Sequence, residues 1–164
     1  MLSIVAIVFA SVAWACPYCT VESQTLTEEI DSADVAVIAY LVKGVAPQPV
    51  EPDELGEFGI VDPETGKAKF RIARVIKGEE TLAGVEEFEA VFFGELDYET
   101  PFFLRGFGEE ETDWSIPVPL TPLGMQYIDD LDTLPESGAE RLAYFLRFRQ
   151  HEDPLLSQDA YDEF

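Results

Sequence analysis

The sequence predicts a mainly β chain with C-terminal helices, an α+β arrangement in which a small barrel or sandwich is followed by two or three α-helices. Three observations carry this. Between residues 34 and 107 short β-rich runs are separated by Gly78, Gly84, Gly94 and Gly106. From Thr121 onward the apolar residues switch to helical spacing behind recognisable helix starts. The 47% hydrophobic content and 12 Phe suffice for one core, while 164 residues leave little room for two full domains. The chain thus divides into a signal peptide over 1–15, a β-barrel domain over 16–118 and a helical extension over 119–164.

The first element is an uncharged apolar run from Leu2 to Trp14 ending in Ala13-Trp14-Ala15, with small residues at the −3 and −1 positions of a cut after Ala15. That pattern predicts export, to the periplasm or beyond the cell, although no basic residue precedes the run. Cleavage would place Cys16 first, in Cys16-Pro17-Tyr18-Cys19. Two readings stay open beside a soluble exported protein. A Cys at the cut admits acylation, which would anchor the chain to a membrane. A strand running into Cys-Pro-Tyr-Cys is also how a glutaredoxin begins, where a helix N-terminus activates the first thiol.

Thr20 to Ile30 then predicts a weak short helix ended by Asp31-Ser32, and Asp34 to Val42 a buried strand closed by Lys43-Gly44. Val45 to Lys67 holds four Pro and three Gly and reads as a long loop or irregular hairpin. The strand Ala68 to Lys77 should turn Phe70, Ile72 and Val75 inward, and further strands are expected over Val85–Phe93 and Thr100–Phe107. Thr121-Pro122 starts a helix carrying Leu123, Tyr127, Ile128 and Leu131 on one face, which Leu134-Pro135 ends. Ser137 to Glu140 reads as a capping box before a helix with Leu142, Phe145, Leu146 and Phe148, running to His151. Asp153-Pro154 starts the last helix, which reaches Phe164 without a stop signal, so a longer helical array or a frayed hairpin is expected.

Ala33-Asp34-Val35-Ala36-Val37-Ile38-Ala39, Phe70-Arg71-Ile72-Ala73-Arg74-Val75-Ile76-Lys77-Gly78 and Phe102-Phe103-Leu104 with Gly106, behind a cysteine-bearing start, resemble the netrin-module and tissue-inhibitor-of-metalloproteinase type of OB barrel. The chain is also similar to exported proteins of planctomycete bacteria with a Cys-Pro-aromatic-Cys start and a His-Glu-Asp-Pro helical end. The first resemblance covers roughly Cys16 to Phe107. It implies a five-stranded Greek-key, OB-like barrel with its N-terminal segment pinned to the sheet. His151-Glu152-Asp153-Pro154 with Ala160 is similar to part of a HEAT-type repeat. The inhibitor family's zinc-seeking start is not reproduced: the spacing here is Cys-x-x-Cys, and no third or fourth cysteine exists.

Charge narrows the partners. With 33 acidic against 10 basic residues, a net charge of −23 repels nucleic acid and anionic membrane surfaces, so a membrane enters only if Cys16 is acylated. No Asn is present, which excludes N-glycosylation. Catalytic signatures are missing: no Gly-x-Ser-x-Gly, no phosphate loop and a single histidine, His151, which reads as a cation at a helix C-terminus. Asp129-Asp130-Leu131-Asp132 lacks the Gly and Glu of a calcium loop. No catalytic residue, metal or cofactor is therefore predicted. Two classes of function remain. One is an exported, non-catalytic binding or scaffolding module for a protein or carbohydrate, with Tyr40, Tyr98, Phe107 and Trp114 as candidate stacking surfaces. The other is a thiol-disulfide redox protein using Cys16 and Cys19, which otherwise form an intramotif disulfide.

Overall fold

The computed structural model describes residues 24–44, 66–108 and 111–164. The segment expected to be a signal peptide, Cys16, Cys19 and most of the Pro-rich loop lie outside the described residues. Strand β1 (Val35–Lys43) is the centre of an antiparallel sheet with β2 (Lys67–Lys77), β3 (Glu87–Val91), β4 (Pro101–Phe107) and β5 (Asp113–Trp114). The order is β3-β2-β1-β4-β5, and a short β6 (Val118–Pro119) also pairs with β4. At the two ends of this order, Phe88 of β3 and Trp114 of β5 stack at 3.9 Å between ring centroids, which nearly closes the sheet into a barrel. The result is the expected architecture: a nearly closed five-stranded barrel, OB-like in connectivity, followed by helices.

The unbroken apolar run of β1 has a direct cause. A strand presents alternate side chains to opposite faces, and both faces of β1 are covered. Val35, Val37, Ala39 and Leu41 fill the barrel with Phe70, Phe102 and Leu104. Ala36 and Ile38 face outward, with Phe103 of β4, against a helical layer. Inside, Phe70 meets Phe88, Phe92 and Phe102 at 5.9, 5.8 and 5.7 Å. Strict alternation along β2 would send Phe70 and Ile72 inward but Val75 outward. Register shifts against β1 insert Ala73 and then Ile76 as extra residues, so Val75 returns to the barrel and Ile76 joins the outer cluster.

Four helices complete the described chain: α1 (Leu26–Ser32), α2 (Pro122–Leu131), α3 (Ala139–Leu146) and α4 (Pro154–Asp162). Thr25 caps α1 with a full capping box to Glu28. Lys77 donates to the carbonyls of Ile30 and Asp31 at its other end, at 3.2 and 2.7 Å. Thr121 and Asp153 cap α2 and α4, and the Thr121 hydroxyl donates to the Asp153 carboxylate at 2.7 Å, joining the two helix starts. The capping box expected at Ser137 is not formed. Gly138, with φ at 107°, is the N-cap, which places Arg141 rather than Glu140 at the third helical position. Tyr127, Ile128, Phe145, Phe148 and Leu156 pack on Ile38 and Phe103, so helices and barrel share a core. The boundary expected at residue 118 falls inside β6.

Candidate binding surfaces

The four aromatics singled out in the sequence occupy two ends of the sheet. Tyr40 is half-buried near the end of β1, opposite Pro101 and Arg71, on the same outward face as Ala36 and Ile38. Tyr98 is exposed in the connection leading to β4, near that same end. Phe107 closes β4 at the opposite end, outward and exposed. Trp114 pairs with Gly106 and turns toward the barrel interior. Phe107 and Trp114 thus share one hairpin but lie on opposite sides of it, and the four do not form one surface. Gly106 is required there: a Cβ would come within 2.6 Å of Val35 Cγ2, 2.4 Å of Thr112 Cγ2 and 3.3 Å of Trp114 Cε3.

Trp114 and Phe88 stand beside a cleft of about 780 Å³ at the rim of the barrel, where β3 and β5 meet through side chains. Leu82 and Val85, from the turn after β2, add apolar wall. Thr81, Glu89, Glu111, Thr112, Asp113 and Lys67 supply the polar part. An apolar wall with a few convergent polar groups is the general form of a small-ligand site, and the volume falls in the usual range. Phe88 and the closure it makes with Trp114 were missed at the sequence level. β5 is only two residues long, too short for any strand periodicity to show.

A larger groove, about 1040 Å³, runs between α1, the end of β2, α2 and the last helices. Its cations are engaged by the protein itself. Arg74 pairs with Asp129, and Arg141 grips Glu163 and donates to the Thr27 hydroxyl at 3.0 Å. Lys77 holds the end of α1, as described above. One buried Arg74 nitrogen, Nη2, has no acceptor among the described residues. The groove is a charged seam between elements, and it offers a ligand little that is not already satisfied.

Beneath that seam lies Asp159, only 4% exposed. One oxygen accepts from the Leu26 backbone N–H at 2.5 Å and the other from the Tyr127 hydroxyl at 2.6 Å. Burial pushes its carboxyl up, against the opposing effect of these two hydrogen bonds. Burial likewise raises Tyr127, whose hydroxyl faces the Asp159 charge, and Tyr144, whose hydroxyl donates to Asp130 at 3.0 Å. The network ties α1 to α2 and α4 from within the protein interior. It was missed in the sequence, although Asp159 stands in phase with Leu156 and Ala160 on the apolar stripe of α4.

His151 differs from its expected role. Its Nδ1 accepts from the Asp153 backbone N–H at 3.0 Å, so the ring helps to set the start of α4. Among the described residues no three or more His, Cys, Asp or Glu side chains are placed to hold a metal ion. Among the same residues no helix is long and apolar enough to cross a membrane. No protein-family model matches the chain, and neither a curated protein nor a solved structure gives a match to it.

Proposed function

We propose that the chain is an exported, non-catalytic binding module and that its ligand is a carbohydrate held in the rim cleft. The observation that carries this is the Trp114–Phe88 stack set beside Glu89, Glu111 and Asp113 in a cleft of about 780 Å³. A sugar ring offers C–H faces to aromatic surface and pairs of hydroxyl donors to carboxylates, which is the chemistry this cleft presents. A neutral ligand also escapes the repulsion that a charge of −23 imposes on anionic polymers. Export rests on the apolar run and the Ala13-Trp14-Ala15 cut. The strand order is compatible with an OB-type barrel, the architecture that the netrin-module resemblance implies, while the inhibitor's cysteine framework is missing from the sequence.

The chain contains two tryptophans, so removal of the signal carrying Trp14 leaves Trp114 as the sole indole and a built-in reporter. Titration with neutral oligosaccharides (gluco-, chito- and manno-series) should shift its fluorescence, with calorimetric Kd values on the order of 0.01 to 1 mM. Trp114→Ala should weaken calorimetric binding by about tenfold or more, roughly the worth of one aromatic contact. Tyr98→Ala should leave it unchanged. Absence of any response across the panel would remove the carbohydrate reading. Binding lost equally in a Cys16→Ser/Cys19→Ser variant that keeps its fold would return attention to the cysteines.

A further inference from the structure

The rim cleft holds more hydrogen-bond acceptors than donors. Of the polar side chains that line it, Glu89, Glu111 and Asp113 only accept as carboxylates, while Thr81 and Thr112 each bring a single hydroxyl donor. Among the described residues no Lys or Arg lies within ion-pair distance of these three carboxylates. Lys67 also lines the cleft and already has an interaction of its own within the chain. Lys69 stands opposite Glu89 in the β2–β3 pairing, but its ammonium reaches Glu87, at 3.8 Å. Phe88 and Glu89 are neighbours on β3, as Asp113 and Trp114 are on β5. Strand alternation turns the two rings toward the barrel and Glu89 and Asp113 to solvent. The ring stack at 3.9 Å draws the two strands together, so these carboxylates flank the same seam in front of the rings.

We infer that the carbohydrate this cleft selects is an amino sugar, held through a protonated primary amine; the inference rests on the carbohydrate reading above and narrows it. An ammonium donates three hydrogen bonds and accepts none, the complement of a group of carboxylates. It also balances charge. Covering three carboxylates with a neutral ring strips part of their water and puts no opposite charge in its place, whereas an ammonium set among them offsets that loss. The same reasoning ranks the other sugars. N-acetylation removes the charge and leaves a single N–H donor, and a uronic or sulfated sugar brings negative charge to a body of −23. The charged seam beside α1 lacks this selectivity, because its Asp129 and Glu163 already face Arg74 and Arg141. Partly exposed charge pairs are individually weak, so three carboxylates should favour the amine over its N-acetylated form by about tenfold.

Calorimetric titration of the full-length chain with tetramers of glucosamine, N-acetylglucosamine and glucose, at about pH 6 and about 0.05 M NaCl, tests this. The glucosamine tetramer should bind about tenfold tighter than the other two, and the margin should shrink to about threefold at about 0.5 M NaCl. Glu89→Gln/Glu111→Gln/Asp113→Asn should cut the margin below about twofold. All three positions are exposed, and far-UV circular dichroism checks that the fold persists. Glu95→Gln/Glu136→Gln/Glu152→Gln removes as many charges at exposed positions elsewhere and should keep the margin. Equal affinity for all three tetramers would overturn the inference and leave the carbohydrate reading standing, whereas no binding of any tetramer would remove both. A margin that survives Glu89→Gln/Glu111→Gln/Asp113→Asn would overturn the inference as well. So would tetralysine binding as tightly as the glucosamine tetramer, since the body's charge would then attract any oligocation or a lysine-rich chain.

Discussion

At the scale of single residues, Asp159 makes the sharpest commitments. Its two oxygens satisfy the Leu26 N–H and the Tyr127 hydroxyl, so removing the side chain orphans two buried donors at once. Asp159→Ala should therefore cost about 2–4 kcal/mol in urea denaturation at neutral pH. Asp159→Asn is different. Its oxygen can accept from Leu26 while its NH₂ donates to the Tyr127 oxygen, and it carries no charge to desolvate, so the change should fall within about 1 kcal/mol of wild type. The pH dependence follows from the direction of the shift. A carboxyl raised in the folded state binds its proton more readily there than in the unfolded chain. Its contribution is thus fully present below the unfolded value of 3.8 and is lost as pH rises through the higher folded value. On acidification from neutrality the wild type should gain stability relative to Asp159→Asn. A difference that stays constant with pH would show that Asp159 titrates as it does in the unfolded chain.

At the scale of elements, the fold was legible wherever one element settled its own burial. The run Val35 to Leu41 announced a strand covered on both faces, and Thr121-Pro122 and Asp153-Pro154 announced helices that begin where expected. What the sequence did not show depends on neighbours. The bulges of β2 exist only relative to the register of β1, and the Phe88–Trp114 closure needs the barrel to curl before the two rings meet. The turn after β2 illustrates the same point through two glycines that look equivalent in sequence. Gly78 and Gly84 both have φ above 80°, so each strains an Ala substitution by roughly 1–2 kcal/mol. A Cβ at Gly84 meets open space, whereas at Gly78 it would lie 2.7 Å from the Asp34 carbonyl oxygen and 2.6 Å from Val35 Cγ1. Gly78→Ala should consequently cost at least about 1 kcal/mol more than Gly84→Ala in equilibrium unfolding, because backbone of β1 must move to admit it. Equal losses would mean that the β1–β2 contact yields there without penalty.

At the scale of the whole molecule, the shared core and the excess of negative charge govern stability together. Phe103 and Ile38 are buried by the helical layer, so a chain cut after residue 118 would expose the outer face of its central strands. At about 1.5–3 kcal/mol for each large apolar side chain returned to water, that loss approaches the whole stability of a domain, and the shortened barrel should fail to give a cooperative transition. The charge acts in the opposite direction from the core. With 33 acidic and 10 basic residues, the folded chain gathers like charges closer together than the unfolded one does. Against this stand the ion pairs of Arg71 with Glu87, Arg105 with Glu29 and Arg141 with Glu163, which salt would weaken. The first two are partly exposed and surface pairs contribute about 0–1 kcal/mol each, too little to offset the repulsion of the remaining carboxylates. Raising NaCl from about 0.01 to 0.5 M should therefore raise the midpoint of thermal unfolding by several degrees, most of it gained as the screening length falls below about 10 Å. A midpoint that falls with salt would mean instead that the ion-paired cations stabilise the fold more than the surplus acid opposes it.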